Sequence, residues 1–109
     1  EIVREGLTVR KRDGRVEPFD RRKILAGLRR ACEKRPIPGE QIEMIVNDIV
    51  TDIEAAGEQE LATRKIGEMV MGKLKAIDKI AYVRFASVYR DFRDIADMEN
   101  MIRDLKKND

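Results

Sequence analysis

Lys11, Arg12, Arg15, Arg21, Arg22 and Lys23 gather cations in one short stretch of chain, and Arg64 and Lys65 form a second, smaller group. Both groups bear on one chemistry, the binding of an anion. Asp20 and Thr63 read as N-caps, so Arg21 to Lys23 fall in the first turn of one helix and Arg64 and Lys65 in the first turn of another. A helix N-terminus already carries partial positive charge, and each solvated cation placed there costs about a few tenths of a kcal/mol. A bound anion reverses that sign, because the helix end and the cations then attract it together. A solvated charged face is the alternative and needs no ligand.

The chain before the first helix sharpens the pattern. Leu7 to Phe19 reads as a β-hairpin, with Thr8, Val9 and Val16 favouring extended structure and Asp13-Gly14 fitting a two-residue loop of type I′. In that register Arg12 faces Arg15, Arg10 faces Glu17, and Lys11 shares a face with Val9 and Val16. Like charges opposed across a strand pair are unfavourable. On an apolar face, Lys11 either snorkels outward or offers its amine to a ligand.

Other chemistries lack their parts. Histidine is absent, which removes the usual general base and the commonest metal ligand. Cys32 is the only cysteine, so neither an intramolecular disulfide nor a cysteine zinc site can form, and its apolar helical neighbours read as core. There is no GxxxxGKS/T loop and no GxGxxG turn. Ser87 has no histidine to activate it, and no acidic cluster suggests paired metals. The expectation is a binding protein rather than an enzyme, with neither catalytic residues nor a metal site.

A length of 109 residues suits one domain. Charged residues make up 40% and hydrophobic residues 42%, a balance that fits helices with narrow apolar stripes better than disorder. The 23 basic and 21 acidic side chains leave a net charge of only +2, so any electrostatic signal lies in local clustering. No apolar run reaches the length of a membrane span and no signal-peptide pattern opens the chain, which points to the cytoplasm and to no membrane partner.

The elements that must position these residues follow from periodicity. Asp20 caps a first helix carrying Ile24, Leu25, Leu28, Ala31 and Cys32, with Phe19 and Ile24 stapled across the cap. Pro36-Ile37-Pro38-Gly39 stops it. A second helix runs from about Glu40 to Ala56, with Gly57 as its stop. Glu58 to Ala62 reads as a short, extended link. Thr63 caps a third helix bearing Ile66, Met69, Val70 and Leu74, and Asp78 caps a fourth with Ala81, Tyr82, Phe85, Val88, Tyr89 and Phe92. Ile95, Met98, Met101, Ile102 and Leu105 form the stripe of a last amphipathic helix, which either packs back on its own domain or meets another copy. The fold class is mainly α, of the α+β kind: a four-helix bundle capped by a small hairpin or three-stranded sheet, plus a C-terminal helix. Residues 1–94 form the main domain, and 95–109 form a segment suited to oligomerisation.

Two runs carry a family resemblance. VRKRDGRVEPFDRRKI, from Val9 to Ile24, resembles the opening of the ATP-cone domain. AYVRFASVYRDF, from Ala81 to Phe92, is similar to the version found in NrdR repressors of ribonucleotide reductase genes. KRP at Lys34 to Pro36 and the run from Ala55 to Glu68 match as well, so the likeness spans about Leu7 to Phe92. It implies a helical bundle capped by a small sheet, holding ATP or dATP, with Mg²⁺, between hairpin and helices. By matching positions, Val9 would contact the base or sugar, and Lys11, Arg12 and Lys23 the phosphates. Glu17 would lie close to the ligand, Thr63 at the helix start beside it, and Tyr89 either packs against the nucleotide or is ordinary core. Nucleotide state would set the homo-oligomeric form, and that form would decide operator binding. NrdR proteins open with a four-cysteine zinc ribbon that this chain lacks, so the chain is expected to sense nucleotide while binding operator DNA weakly or not at all.

Two other functions fit parts of the sequence. The same domain regulates activity at the N-terminus of ribonucleotide reductases; against this stand YVRFASVYRDF and a chain that ends soon after it. A small basic DNA-binding module could use Arg21 to Arg35 as a recognition helix along phosphates. Its charge is nearly cancelled by acids elsewhere, and no companion helix forms a helix-turn-helix.

Overall fold

The computed structural model describes residues 6–107. In chain order the elements are β1 (Thr8–Arg10), β2 (Val16–Pro18), α1 (Arg21–Ala31), α2 (Gly39–Ala56), β3 (Glu60–Ala62), α3 (Thr63–Ile77), α4 (Lys79–Tyr89) and α5 (Ile95–Lys107). β1 lies in the middle of the sheet, antiparallel to β2 and parallel to β3. The α+β class, with a helical bundle, a small sheet and a trailing helix, is the one the sequence predicts. No helix among the described residues is long and apolar enough to cross a membrane.

α2 runs through the middle of the core. Ile42, Ile45, Val46, Ile49, Val50 and Ile53 recur every three or four residues and are all buried. With them, Leu28 of α1 and Val70 and Leu74 of α3 are the most deeply enclosed side chains. Each such burial contributes about 1.5–3 kcal/mol. Gly57 ends α2 in the left-handed conformation at φ 70°, as a helix-stop glycine should.

The hairpin differs from the predicted one. Lys11 N–H donates to the Arg15 carbonyl (2.7 Å) and Gly14 N–H to the Lys11 carbonyl (3.0 Å), so the loop is Arg12-Asp13-Gly14. A two-residue type I′ loop needs positive φ at both central residues. Here Gly14 alone supplies it, at 90°, while Asp13 stays on the ordinary side and accepts the Arg15 N–H (3.0 Å). The register becomes Val9 opposite Glu17 and Arg10 opposite Val16, and a one-residue slip reverses faces. Arg12 and Arg15 are therefore not opposed. Arg10 turns to Glu60 of β3 (2.8 Å) instead of Glu17, and Val16 is exposed rather than on the face shared by Val9 and Lys11.

Two helix ends also move. α1 stops at Ala31, well before Pro36, because Arg84 of α4 donates to the carbonyls of Ala31 (3.2 Å) and Glu33 (2.6 Å) and Lys34 turns left-handed at φ 62°. Thr63 does not cap α3. Pairing with Arg10 keeps Ala62 extended, so Ala62 takes the cap position and Thr63 becomes the first helical residue. In α4, Ala86 rather than Val88 faces the core, and the helix ends at Tyr89, before Phe92.

The two remaining caps form as predicted. Asp20 accepts the Arg22 N–H (2.9 Å) at the head of α1. Asp78, whose side chain is 7% exposed, accepts the Ala81 N–H (2.9 Å) and the Arg35 guanidinium (3.0 Å), tying the α1–α2 link to the α3–α4 corner. The Ala81 N–H and the Arg35 guanidinium hold its carboxyl below the usual range. A carboxyl so shifted stabilises the fold fully above its unfolded pKa of about 3.9 and loses that contribution as pH falls through the lower folded value. Asp78→Ala should therefore cost about 1–2 kcal/mol at neutral pH and lower the melting temperature by several degrees. Thermal melts at pH 7 and near pH 3 should show the gap between variant and parent narrowing in acid.

Candidate functional site

Because β1 sits between β2 and β3, the hairpin is carried against the heads of α1 and α3. A cleft of about 210 Å³ opens there. Its floor is apolar, formed by Val9, Phe19, Ile24, Ile66, Val70 and Phe85. Lys11, Glu17, Lys23, Thr63 and Tyr89 line its polar side. A second cavity of about 310 Å³ adjoins it, lined by Lys11, Arg12, Asp13, Arg15, Thr63 and Tyr89. Lys11, Thr63 and Tyr89 belong to both, so an apolar chamber leads into a cationic mouth.

The cations divide by what already holds them. Arg21 reaches away to Glu43 (3.2 Å) and Asn47 of α2, Arg22 folds onto Asp20, and Arg15 onto Asp13. Lys23 is hydrogen-bonded to Glu17. That bond, with Lys11 and Arg15 nearby, holds the Glu17 carboxyl below its ordinary range, so it stays ionised inside the cleft. Lys11 lines both cavities, and its amine makes no hydrogen bond or close ion pair among the described residues. α3 begins at the same place with no side-chain cap and no acid in its first turn.

Tyr89 forms the wall between these spaces. Its ring stacks on Phe85 at 6.0 Å, and its hydroxyl donates to the Arg64 carbonyl. Arg12 also lies over the ring, with its guanidinium carbon 5.1 Å from the ring centre, and donates to the Tyr89 carbonyl. Beneath the ring lies Gly67, where a Cβ would fall inside the tyrosine.

All seven residues expected at the site thus meet. Val9, Lys11, Glu17, Lys23, Thr63 and Tyr89 line the chamber, and Arg12 lines the mouth. Arg64 contributes its carbonyl to Tyr89, and Lys65 lines neither cavity. Sequence reasoning missed Gly67. A glycine inside a helix costs about 1 kcal/mol against alanine, and that unexplained cost was the available signal. It missed the chamber's floor as well, since Phe19, Ile24, Ile66, Val70 and Phe85 look like any other core positions until a cleft opens beside them.

The ATP cone domain family matches residues 7–95. Proteins named transcriptional repressor NrdR match over most of the chain. The one from Geotalea uraniireducens is 50% identical over 97 residues, covering 89% of this chain and 65% of its own length. That from Thermotoga neapolitana is 52% identical over 101 residues (93% and 65%), and that from Opitutus terrae 45% over 108 residues (99% and 71%). The chain spans about two thirds of the length of such relatives.

The contacts separate two neighbouring cations. Arg12→Ala removes a cation–π contact worth about 0.5–1 kcal/mol at an exposed site, together with a hydrogen bond to a helix-end carbonyl. Its melting temperature should fall. Lys11→Ala removes no side-chain hydrogen bond or close ion pair, only a longer-range attraction to Glu17, and should stay within about 0.5 kcal/mol of the parent. Equal losses in paired denaturant titrations would refute this division.

Proposed function

The chain belongs to the ATP-cone family in its NrdR form, and on that premise we propose that the cleft binds ATP or dATP as the regulatory signal of a transcriptional repressor. The observation that carries the proposal is the junction of an apolar chamber with a cationic mouth through Lys11, Thr63 and Tyr89. A nucleotide has the same division. Its base and sugar suit the chamber, against Val9 and Phe85, and its phosphates suit the mouth, against Lys11 and Arg12. Lys23 adds a third cation, kept in place by Glu17, and the uncapped start of α3 at Thr63 adds the field of a helix N-terminus. Among the described residues no group of three acids or cysteines could hold a metal, so Mg²⁺ would arrive with the phosphates. The name the chain's relatives carry, transcriptional repressor, supports binding without hydrolysis.

The nucleotide-binding unit is taken as residues 1–94 and the assembly segment as 95–109, of which 1–5 and 108–109 lie outside the described residues. In α5 the apolar stripe is divided. Met101 and Leu105 are buried on the chain's own domain, while Ile95 is 72% and Ile102 39% exposed. The exposed half suits contact with another copy of the chain, and nucleotide-set assembly would in turn govern operator binding by the whole cytoplasmic repressor, through the zinc ribbon of its relatives. A DNA-reading α1 is the poorer account, because Arg21, Arg22 and Arg29 are each engaged by an acid within the domain.

ATP or dATP at one hundred times its dissociation constant should stabilise the fold by about 2.7 kcal/mol. In calorimetric titration Lys11→Ala and Lys23→Ala should bind at least several-fold more weakly. A folded protein whose melting temperature ignores millimolar ATP and dATP would rule the reading out. Light scattering behind a size-exclusion column, run with no nucleotide, with ATP and with dATP, should give differing masses. A ligand shifts assembly only by binding the assemblies with different affinity, so one monomeric mass in all three runs would remove the oligomer switch from this chain.

A further inference from the structure

The end of α4 is built with one carbonyl left over. Phe92 N–H donates to the Ser87 carbonyl (3.0 Å), Asp91 N–H to Val88 (3.2 Å) and Arg90 N–H to Ala86 (2.8 Å). This is a Schellman closure, with Asp91 in the left-handed position at φ 55°. Aspartate tolerates that conformation better than most residues, and Arg93 secures its carboxylate (3.0 Å). The Tyr89 carbonyl receives none of these N–H groups. Arg12 supplies the donor, from a hairpin tip 77 residues away in sequence, and lays its charge at a helix C-terminus where cations are favoured. The same guanidinium covers the Tyr89 ring and lines the cationic mouth.

One group thus stands where two acceptors compete for it, the last carbonyl of α4 and any phosphate in the mouth. We propose that Arg12 is a latch that nucleotide opens: a phosphate draws the guanidinium off Tyr89, and the Tyr89 carbonyl at the end of α4 loses its donor, which weakens the turn built around it. Phosphate is the stronger acceptor, since it meets the guanidinium charge to charge and through two parallel bonds, whereas the carbonyl offers one neutral oxygen. Gly67 positions the latch by letting the Tyr89 ring lie flat on α3, and the Tyr89 hydroxyl, bonded to the Arg64 carbonyl, keeps the ring there. Release reaches α5 directly. Only Arg90 to Asp94 separate α4 from α5, and α5 packs back on α4. Nucleotide binding would thereby loosen the joint that orients Ile95 and Ile102. This inference rests on the cleft's binding a nucleotide.

Amide hydrogen exchange on the whole chain tests it, in the free protein and with saturating ATP, for the parent and Arg12→Ala. In the free parent the Arg90, Asp91 and Phe92 amides should be protected. ATP should speed their exchange several-fold while slowing that of Val9 and Lys11 beside the chamber. In Arg12→Ala the same three amides should already exchange several-fold faster without ATP, and ATP should change them little. Wild-type rates for these amides in free Arg12→Ala would overturn the latch, as would protection of them by ATP in the parent. Calorimetry on the same samples separates the two ideas. No uptake of ATP sinks the nucleotide reading and the latch with it, whereas uptake that leaves the three amides unchanged sinks the latch alone.

Discussion

The parallel pairing of Thr8–Arg10 with Glu60–Ala62 joins segments fifty residues apart, and the site depends on it. Closing so long a loop is entropically costly, and three residues of ladder offer few hydrogen bonds against that cost. The buried side chains Leu7, Val9 and Leu61 supply the rest by joining the sheet to the helical core, and the Arg10–Glu60 ion pair braces its exposed face. The same pairing fixes where β3 stops and α3 starts. It therefore decides that Thr63 faces the hairpin, and that a helix N-terminus and the tip's cations share one opening.

Within that frame the cations fall into those used by the fold and those held for other work. Arg21 and Arg29 clamp α1 to α2 through Glu43, and Arg35 closes the α3–α4 corner through Asp78. At the cleft the partners are mixed. Glu17 keeps Lys23 inside the site, Tyr89 gives Arg12 a carbonyl and a ring, and Lys11 has neither. The carbonyl and ring hold Arg12 without an opposing acid, whereas the Glu17 carboxylate both orients Lys23 and opposes its charge. Preorganisation lowers the entropy that a ligand must overcome on binding.

The sequence made the elements legible wherever a single local force decided them. The stripe of α2, the Asp20 and Asp78 caps and the Gly57 stop all depend on residues next to one another in the chain. It failed wherever two local solutions were close and a distant group chose between them. The end of α1 was settled by Arg84 from α4 and the head of α3 by strand pairing with Arg10, while the hairpin loop turned on a competing local bond, the Asp13 side chain on the Arg15 N–H. The residues expected at the site line adjoining cavities despite these errors. The site's polar members came from charge placement and motif likeness, and the slip of register took Val16 off the face of Val9 and Lys11 and brought Glu17 onto it. Gly67 and the chamber floor stayed hidden because a void cannot be read from one side of it.

The sheet that assembles this site is also unusually short at its borders. β2 and β3 form its two edges, each is three residues long, and β2 ends at Pro18, which has no N–H to offer a neighbour. Short strands, proline and charge are the features that keep exposed edges from recruiting further strands. Arg10 and Glu60 add charge along the same ribbon. Fibre-like growth by strand addition therefore has almost no template among the described residues.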